Sequence, residues 1–124
     1  MQTTNPAMET VKKYYEAFGR KDMKRLRELL TSDFTFKGPL LVASSPDEFV
    51  AAMKQMPFEA TVSGSRFIVE NNRVAHSFVW SMTAPAKADI PMCEILEISD
   101  DKVQSSELYY DARLFPKPPE VAKV

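Results

Sequence analysis

Four segments in the second half of the chain constrain the fold most. "ATVSGSRFIVE", "RVAHSFVWSMT", "DIPMCEILEIS" and "KVQSSELYYDARLF" alternate apolar and polar side chains with the period of two that marks a half-buried β-strand. Asn71-Asn72 joins the first two and Asp100-Asp101 the last two, and both pairs suit tight hairpin turns. The second half is therefore expected to be an antiparallel meander.

The first half has the period of a helix. In "NPAMETVKKYYEAFG", Met8, Val11, Tyr14, Tyr15 and Phe18 share one helical face, Asn5 caps the start, Pro6 sits in the first turn, and Gly19 reads as the stop. Asp22 caps a second helix with the stripe Met23, Leu26, Leu29 and Leu30. "DFTFKGP" reads as a short strand ended by Gly38-Pro39, and Leu40 to Ala43 as an apolar loop. Ser45, Pro46 and Glu48 form a capping box ahead of a third helix with the stripe Phe49, Met53 and Met56. The expected order is α-α-β-α-β-β-β-β. Helices segregated ahead of strands predict an α+β domain with the helices on one face of a curved sheet. The tail "PKPPEVAKV" reads as frayed.

One domain is expected over residues 1–124, with about 117–124 as a Pro-rich tail. Sixteen basic and 17 acidic residues leave a net charge of −1, which gives no footprint for nucleic acid or an anionic membrane. The basic stretch "GRKDMKRLR" reads as a solvated helix face. The single Cys93 excludes an intrachain disulfide, and the single His76 excludes a His-rich metal site. No metal and no cofactor are expected. "MQTTNPAMETVKKYY" lacks the basic and apolar regions of a secretory signal, so a cytoplasmic protein is expected.

The chemistry concentrates on "MCEILEI". Read as a strand, it places Met92, Glu94, Leu96 and Ile98 on one face and Cys93, Ile95 and Glu97 on the other. Glu94 is thus an acid on an apolar face, where an ionised carboxylate without a partner is costly. It either lines a cavity, pairs with a cation such as Arg66, or sits at a bulge and points out. Tyr14 is either a pocket residue or a packed tyrosine with a wet hydroxyl. His76 shares a face with Phe78, Trp80 and Met82 and is either a hydrogen-bonded core residue or a catalytic one. Cys93 faces away from Glu94 and lacks the electropositive setting of a reactive thiol. Asp111 reads as structural or as part of a dimer surface.

"VKKYYEAFGRKDMKRLRELLTSDFTFKGP" and "EILEISDDKVQSSELYYDARLF" resemble the nuclear-transport-factor-2-like superfamily, which includes the SnoaL-like polyketide cyclases and the ketosteroid isomerases. The resemblance spans roughly Thr10 to Phe115. It implies a cone-shaped, cystatin-like roll: three helices on a strongly curved, mostly antiparallel sheet enclosing an apolar pocket. Under it, Tyr14 falls where the isomerases keep an oxyanion-binding tyrosine, and Glu94 where they keep a protonated acid. The isomerase base position falls at Gly38 and the cyclase acid position at Leu108, so neither familiar base is present. Expected catalytic candidates are Glu94, Tyr14 and His76. Expected ligand contacts are Phe36, Met53, Trp80, Ser106, Leu108 and Tyr110.

These readings point to a small, largely apolar ligand in the pocket. The alternatives are an isomerase, cyclase, dehydratase or hydrolase acting on a small cyclic or carbonyl compound, and a non-catalytic interaction module. A homodimer is expected through outward residues such as Val79, Cys93, Ile95 and Tyr109.

Overall fold

A computed structural model describes residues 5–116. Its elements are α1 (Pro6–Gly19), α2 (Met23–Glu28), β1 (Leu30–Lys37), β2 (Val42–Ala43), α3 (Pro46–Lys54), β3 (Glu59–Glu70), β4 (Arg73–Ala84), β5 (Ala88–Ser99) and β6 (Lys102–Tyr110), followed by a 3₁₀ turn at Ala112–Leu114. The architecture is α+β: three helices against one curved, six-stranded sheet ordered β2-β1-β6-β5-β4-β3. Every strand pair is antiparallel except β1 with β6. The reading of the tail at 117–124 lies outside the described residues.

The local signals act as expected at the caps and hairpins. Asn5 Oδ1 accepts from the amides of Ala7 and Met8, Asp22 Oδ1 from that of Arg25, and Ser45 Oγ from that of Glu48. Glu48 reaches back to the amide of Ser44 rather than to that of the cap residue, a capping box displaced by one. Asn71, Asp100 and Asp101 all take positive φ, which asparagine and aspartate tolerate and the hairpin twist favours.

Four boundaries differ from the sequence reading. Leu29 and Leu30 leave the helical stripe: Leu29 closes α2, and Leu30 opens β1. Tertiary pairing overrides helical spacing here, because the Leu29 carbonyl and the Leu30 backbone are taken up at the start of β6, around Val103. Val42 and Ala43 form a two-residue strand on β1 instead of a loop. At the end of α1 the left-handed residue is Lys21, two positions beyond Gly19. Strand β6 stops at Tyr110, where Asp111 accepts the Arg113 amide and turns the chain into the 3₁₀ segment.

The core lies between the helices and the inner face of the sheet. Val11, Tyr14, Leu26, Leu30, Phe34, Phe49, Val74, Leu96 and Val103 are buried there. Phe49 is the hub of an aromatic group, with ring centroids 5.0 Å from Phe34, 4.9 Å from Phe36 and 5.9 Å from Phe18. Strand β3, at the sheet edge, is exposed over nearly its whole length.

Candidate functional site

The core does not fill the wide end of the cone. A cavity of about 780 Å³ opens there between α1, α3 and the inner faces of β3 to β6. Glu94, Tyr14 and His76 all border it. So do Phe36, Met53, Trp80, Leu108 and Tyr110. Ser106 does not: it is 1 % exposed and sits behind Glu94.

Glu94 occupies the middle of β5, paired with His76 on β4 and Leu108 on β6, and the pairing around it is regular on both sides, the one shift in β5–β6 falling between Glu97 and Ile98. That regularity excludes a bulge, and the side chain is only 5 % exposed. Its partners are three hydroxyls. Tyr14 donates to Oε2 at 3.2 Å, Tyr15 to Oε1 at 2.5 Å, and Ser106 to Oε2 through a short bond. Among the described residues no cation joins them, so the reading that paired Glu94 with Arg66 is corrected: Arg66 is exposed and pairs through its backbone with Ser77, on the outward face.

Burial raises the Glu94 pKa above the ordinary carboxylate value, and the hydroxyl bonds from Ser106, Tyr15 and Tyr14 oppose that rise without cancelling it. Burial, reinforced by the carboxyl, raises the phenol pKa values of Tyr14 and Tyr15 as well. The folded protein therefore holds the Glu94 proton more tightly than the unfolded chain does. The contribution of Glu94 to stability should fall as pH rises from about 4.5 towards the elevated folded-state value, because over that window the folded state carries the extra proton. Glu94→Gln removes the titrating group. Chemical denaturation from pH 4.5 upwards should show wild-type stability falling relative to that of the variant, a difference from which the common His76 contribution cancels, and parallel profiles would contradict the assignment.

His76 is 2 % exposed, and burial lowers its pKa to about 4, so the ring is neutral at pH 7. Burial raises the Tyr110 phenol pKa. Gly38 and Leu108 border the cavity, yet neither offers a carboxylate, and a Cβ at position 38 would stand 3.2 Å from the Phe36 ring. Among the described residues no group of His, Cys, Asp and Glu is arranged to hold a metal ion.

The sequence reading gave Tyr15 no site role, although it neighbours Tyr14 and shares its helical face. Two adjacent tyrosines on the inward side of α1 were the signal, since positions 100° apart can both reach one strand residue. Ser65 on β3 also borders the cavity, with Oγ 2.8 Å from His76 Nε2, and it was missed because nothing in its own segment marks it. Phe58 and Phe115 also border the cavity, with centroids 5.2 Å apart and Trp80 about 6 Å from each.

A curved sheet closed by three helices, with a cavity between them, is a nuclear-transport-factor-2-like fold. The chain belongs to the SnoaL-like domain family, whose model matches residues 11–106. Solved structures agree on the fold. An NTF2-like protein of unknown function from Burkholderia pseudomallei superposes with a TM-score of 0.81 at 21 % identity, covering 92 % of this chain and all of that one. A candidate ketosteroid isomerase from Kribbella flavida gives 0.74 at 16 % identity over 96 % and 90 % of the two chains. An LEH-like epoxide hydrolase from M. tuberculosis gives 0.75 at 15 % identity over 88 % and 85 %. No curated protein sequence matches the chain.

Proposed function

We propose that this chain, as one SnoaL-like domain over residues 1–124, binds a small, largely apolar molecule in its cone cavity, with an oxygen of the ligand held at the Glu94 hydroxyl cluster. The observation that carries the reading is a buried carboxyl ringed by hydroxyls, with no cation on it among the described residues, in the wall of an aromatic-lined cavity of about 780 Å³. Cavities of this size, mostly apolar with a few convergent polar groups, are the usual form of small-molecule sites. Phe36, Met53, Trp80, Leu108 and Tyr110 supply the wall and Glu94 the polar anchor, with the enclosed hydroxyls of Tyr14 and Ser106 orienting its carboxyl.

2-Methylnaphthalene, titrated while Trp80 fluorescence and thermal unfolding are followed, tests this. Saturable binding with a rise in the unfolding midpoint is expected, since a ligand at a hundred times its Kd stabilises by about 2.7 kcal/mol. No binding would overturn it.

The same hydroxyl cluster favours a second reading: an isomerase, cyclase, dehydratase or hydrolase acting on a cyclic or carbonyl compound, using Glu94 with the Tyr14 hydroxyl bonded to it. The solved neighbours named as isomerase and epoxide hydrolase support it at the level of fold alone.

The outward face of the sheet supports a homodimer. Val79, Cys93 and Ile95 are partly exposed there, Tyr109 is exposed beside them, and Ile68 on β3 is 73 % exposed. Light scattering should give about twice the 14.1 kDa chain mass, and Ile95→Asp should halve it. A single 14.1 kDa species at micromolar concentration would contradict the dimer. A single free cysteine suits a reducing, cytoplasmic setting. No helix among the described residues is long and apolar enough to cross a membrane.

A further inference from the structure

The Glu94 cluster leaves one part of the cavity wall without a role. His76 lies on β4 between Phe67 on β3 and Glu94 on β5. Its ring is sandwiched by Phe67, at 4.2 Å and 8°, and by Phe78, at 4.3 Å and 26°, with the Tyr15 ring edge-on at 4.7 Å. Nε2 stands 2.8 Å from Ser65 Oγ. A break in the β3 ladder between Ser63 and Arg66, with Gly64 at φ +64°, turns Ser65 towards the ring. A β-bulge has this effect, re-aiming a side chain that regular pairing would place elsewhere. Among the described residues, His76 Nδ1 is the one buried side-chain polar atom without a hydrogen-bond partner.

The tautomer follows from that imbalance. A neutral imidazole carries one proton. On Nδ1 it would be a buried N–H with no acceptor, the rarest kind of unsatisfied group. On Nε2 it is donated to Ser65 Oγ, and Nδ1 keeps a bare lone pair. Ser65 thus sets which nitrogen can accept. Among the described residues no donor reaches that lone pair, and the ring that carries it forms part of the cavity wall.

We infer that His76 and Ser65 form a second polar subsite, at which Nδ1 accepts a hydrogen bond from the hydroxyl of an aromatic ligand. The inference rests on the cavity reading above and narrows its ligand class to hydroxylated aromatics. The Phe67-His76-Phe78 stack and the Phe58, Trp80 and Phe115 group supply ring faces. Glu94 sits directly across the strand pair, with Cβ atoms roughly 5 Å apart. The ligand hydroxyl is therefore held beside the acid.

The test compares 2-naphthol with 2-methylnaphthalene, a pair of similar shape that differs in one donor. Wild type should bind the naphthol about tenfold more tightly, the scale of one net hydrogen bond. His76→Phe continues the aromatic stack and should bind both equally. Because His76 is the only histidine, its ¹⁵N spectrum is unambiguous. It should show Nε2 protonated and Nδ1 bare, and the Nδ1 signal should move with naphthol but not with methylnaphthalene. Ser65→Ala should relax the tautomer preference and reduce the ratio of naphthol to methylnaphthalene affinity. This variant and the wild-type spectrum decide the matter even if His76→Phe fails to fold. Binding of methylnaphthalene with no preference for naphthol, or an Nδ1 signal indifferent to naphthol, overturns the subsite and leaves the cavity reading standing. Failure of both probes to bind overturns both.

Discussion

Glu94→Leu should destabilise the protein by on the order of 4 kcal/mol, because it strips the acceptor from two fully enclosed hydroxyls. Tyr14 is 0 % exposed and Ser106 1 %, so neither can turn to water. Each buried donor left unpaired costs about 1–3 kcal/mol. Tyr15 is only partly buried and borders the cavity, so its hydroxyl can be solvated there. Leucine is close to glutamate in volume, so the loss comes from the hydroxyls and not from a void. Glu94→Gln, which keeps an acceptor oxygen, should stay within about 1 kcal/mol of wild type near neutral pH. Adding Tyr14→Phe to Glu94→Leu should recover part of the loss, since removing both partners of a buried hydrogen bond costs less than removing one. Urea denaturation of the three variants checks the ordering. A Glu94→Leu protein as stable as wild type would show that the hydroxyls do not depend on the carboxyl.

Phe49→Ala should cost about 3–5 kcal/mol, the usual range for removing a buried phenylalanine. The ring is 1 % exposed and touches Phe18, Phe34 and Phe36. It also borders the cavity, together with Phe36. The void left by alanine would therefore join a space that already exists, and the surrounding side chains could not collapse to fill it. Two effects should appear together: a lower denaturation midpoint, and a cavity able to take bulkier hydrocarbons than wild type accepts. Calorimetric titration with a graded set of alkylnaphthalenes measures the second. A loss below about 1 kcal/mol would mean that the aromatic hub carries little of the core.

How far the sequence was legible varied with the kind of signal. The caps at Asn5, Asp22 and Ser45 and the turns at Asn71 and at Asp100-Asp101 are local chemistry, and each acts where local chemistry placed it. Strand parity put Glu94 on the apolar face, and pairing that is regular from Met92 to Glu97 keeps it there, where a bulge would have turned it out. What failed depended on distant partners. Leu30 keeps helical spacing with Leu26, yet it joins β1 because β6 offers a ladder some seventy residues later. Val42 and Ala43 become a strand only because Phe36 and Lys37 lie alongside. The partner of His76 could not be read either, since a shift in pairing, not the periodicity of β3, turns Ser65 towards it. Ser106 has the inward parity expected of a wall residue, but parity cannot tell the wall from the layer behind it.

The parallel pairing of β1 with β6 bears on how the protein is made. In chain order β1 emerges from the ribosome early and its neighbour in the sheet last, with β3, β4 and β5 synthesised between them. At roughly 5–20 residues per second, about seventy residues of waiting amount to several seconds. During that time Phe34 and Phe36 have only the helices and the short β2 to cover them, and the edge of β1 that β6 will occupy stays open. The nascent chain is thus most open to chaperone capture or to misassembly between neighbours on one messenger in the interval before Val103 reaches the Leu29 carbonyl.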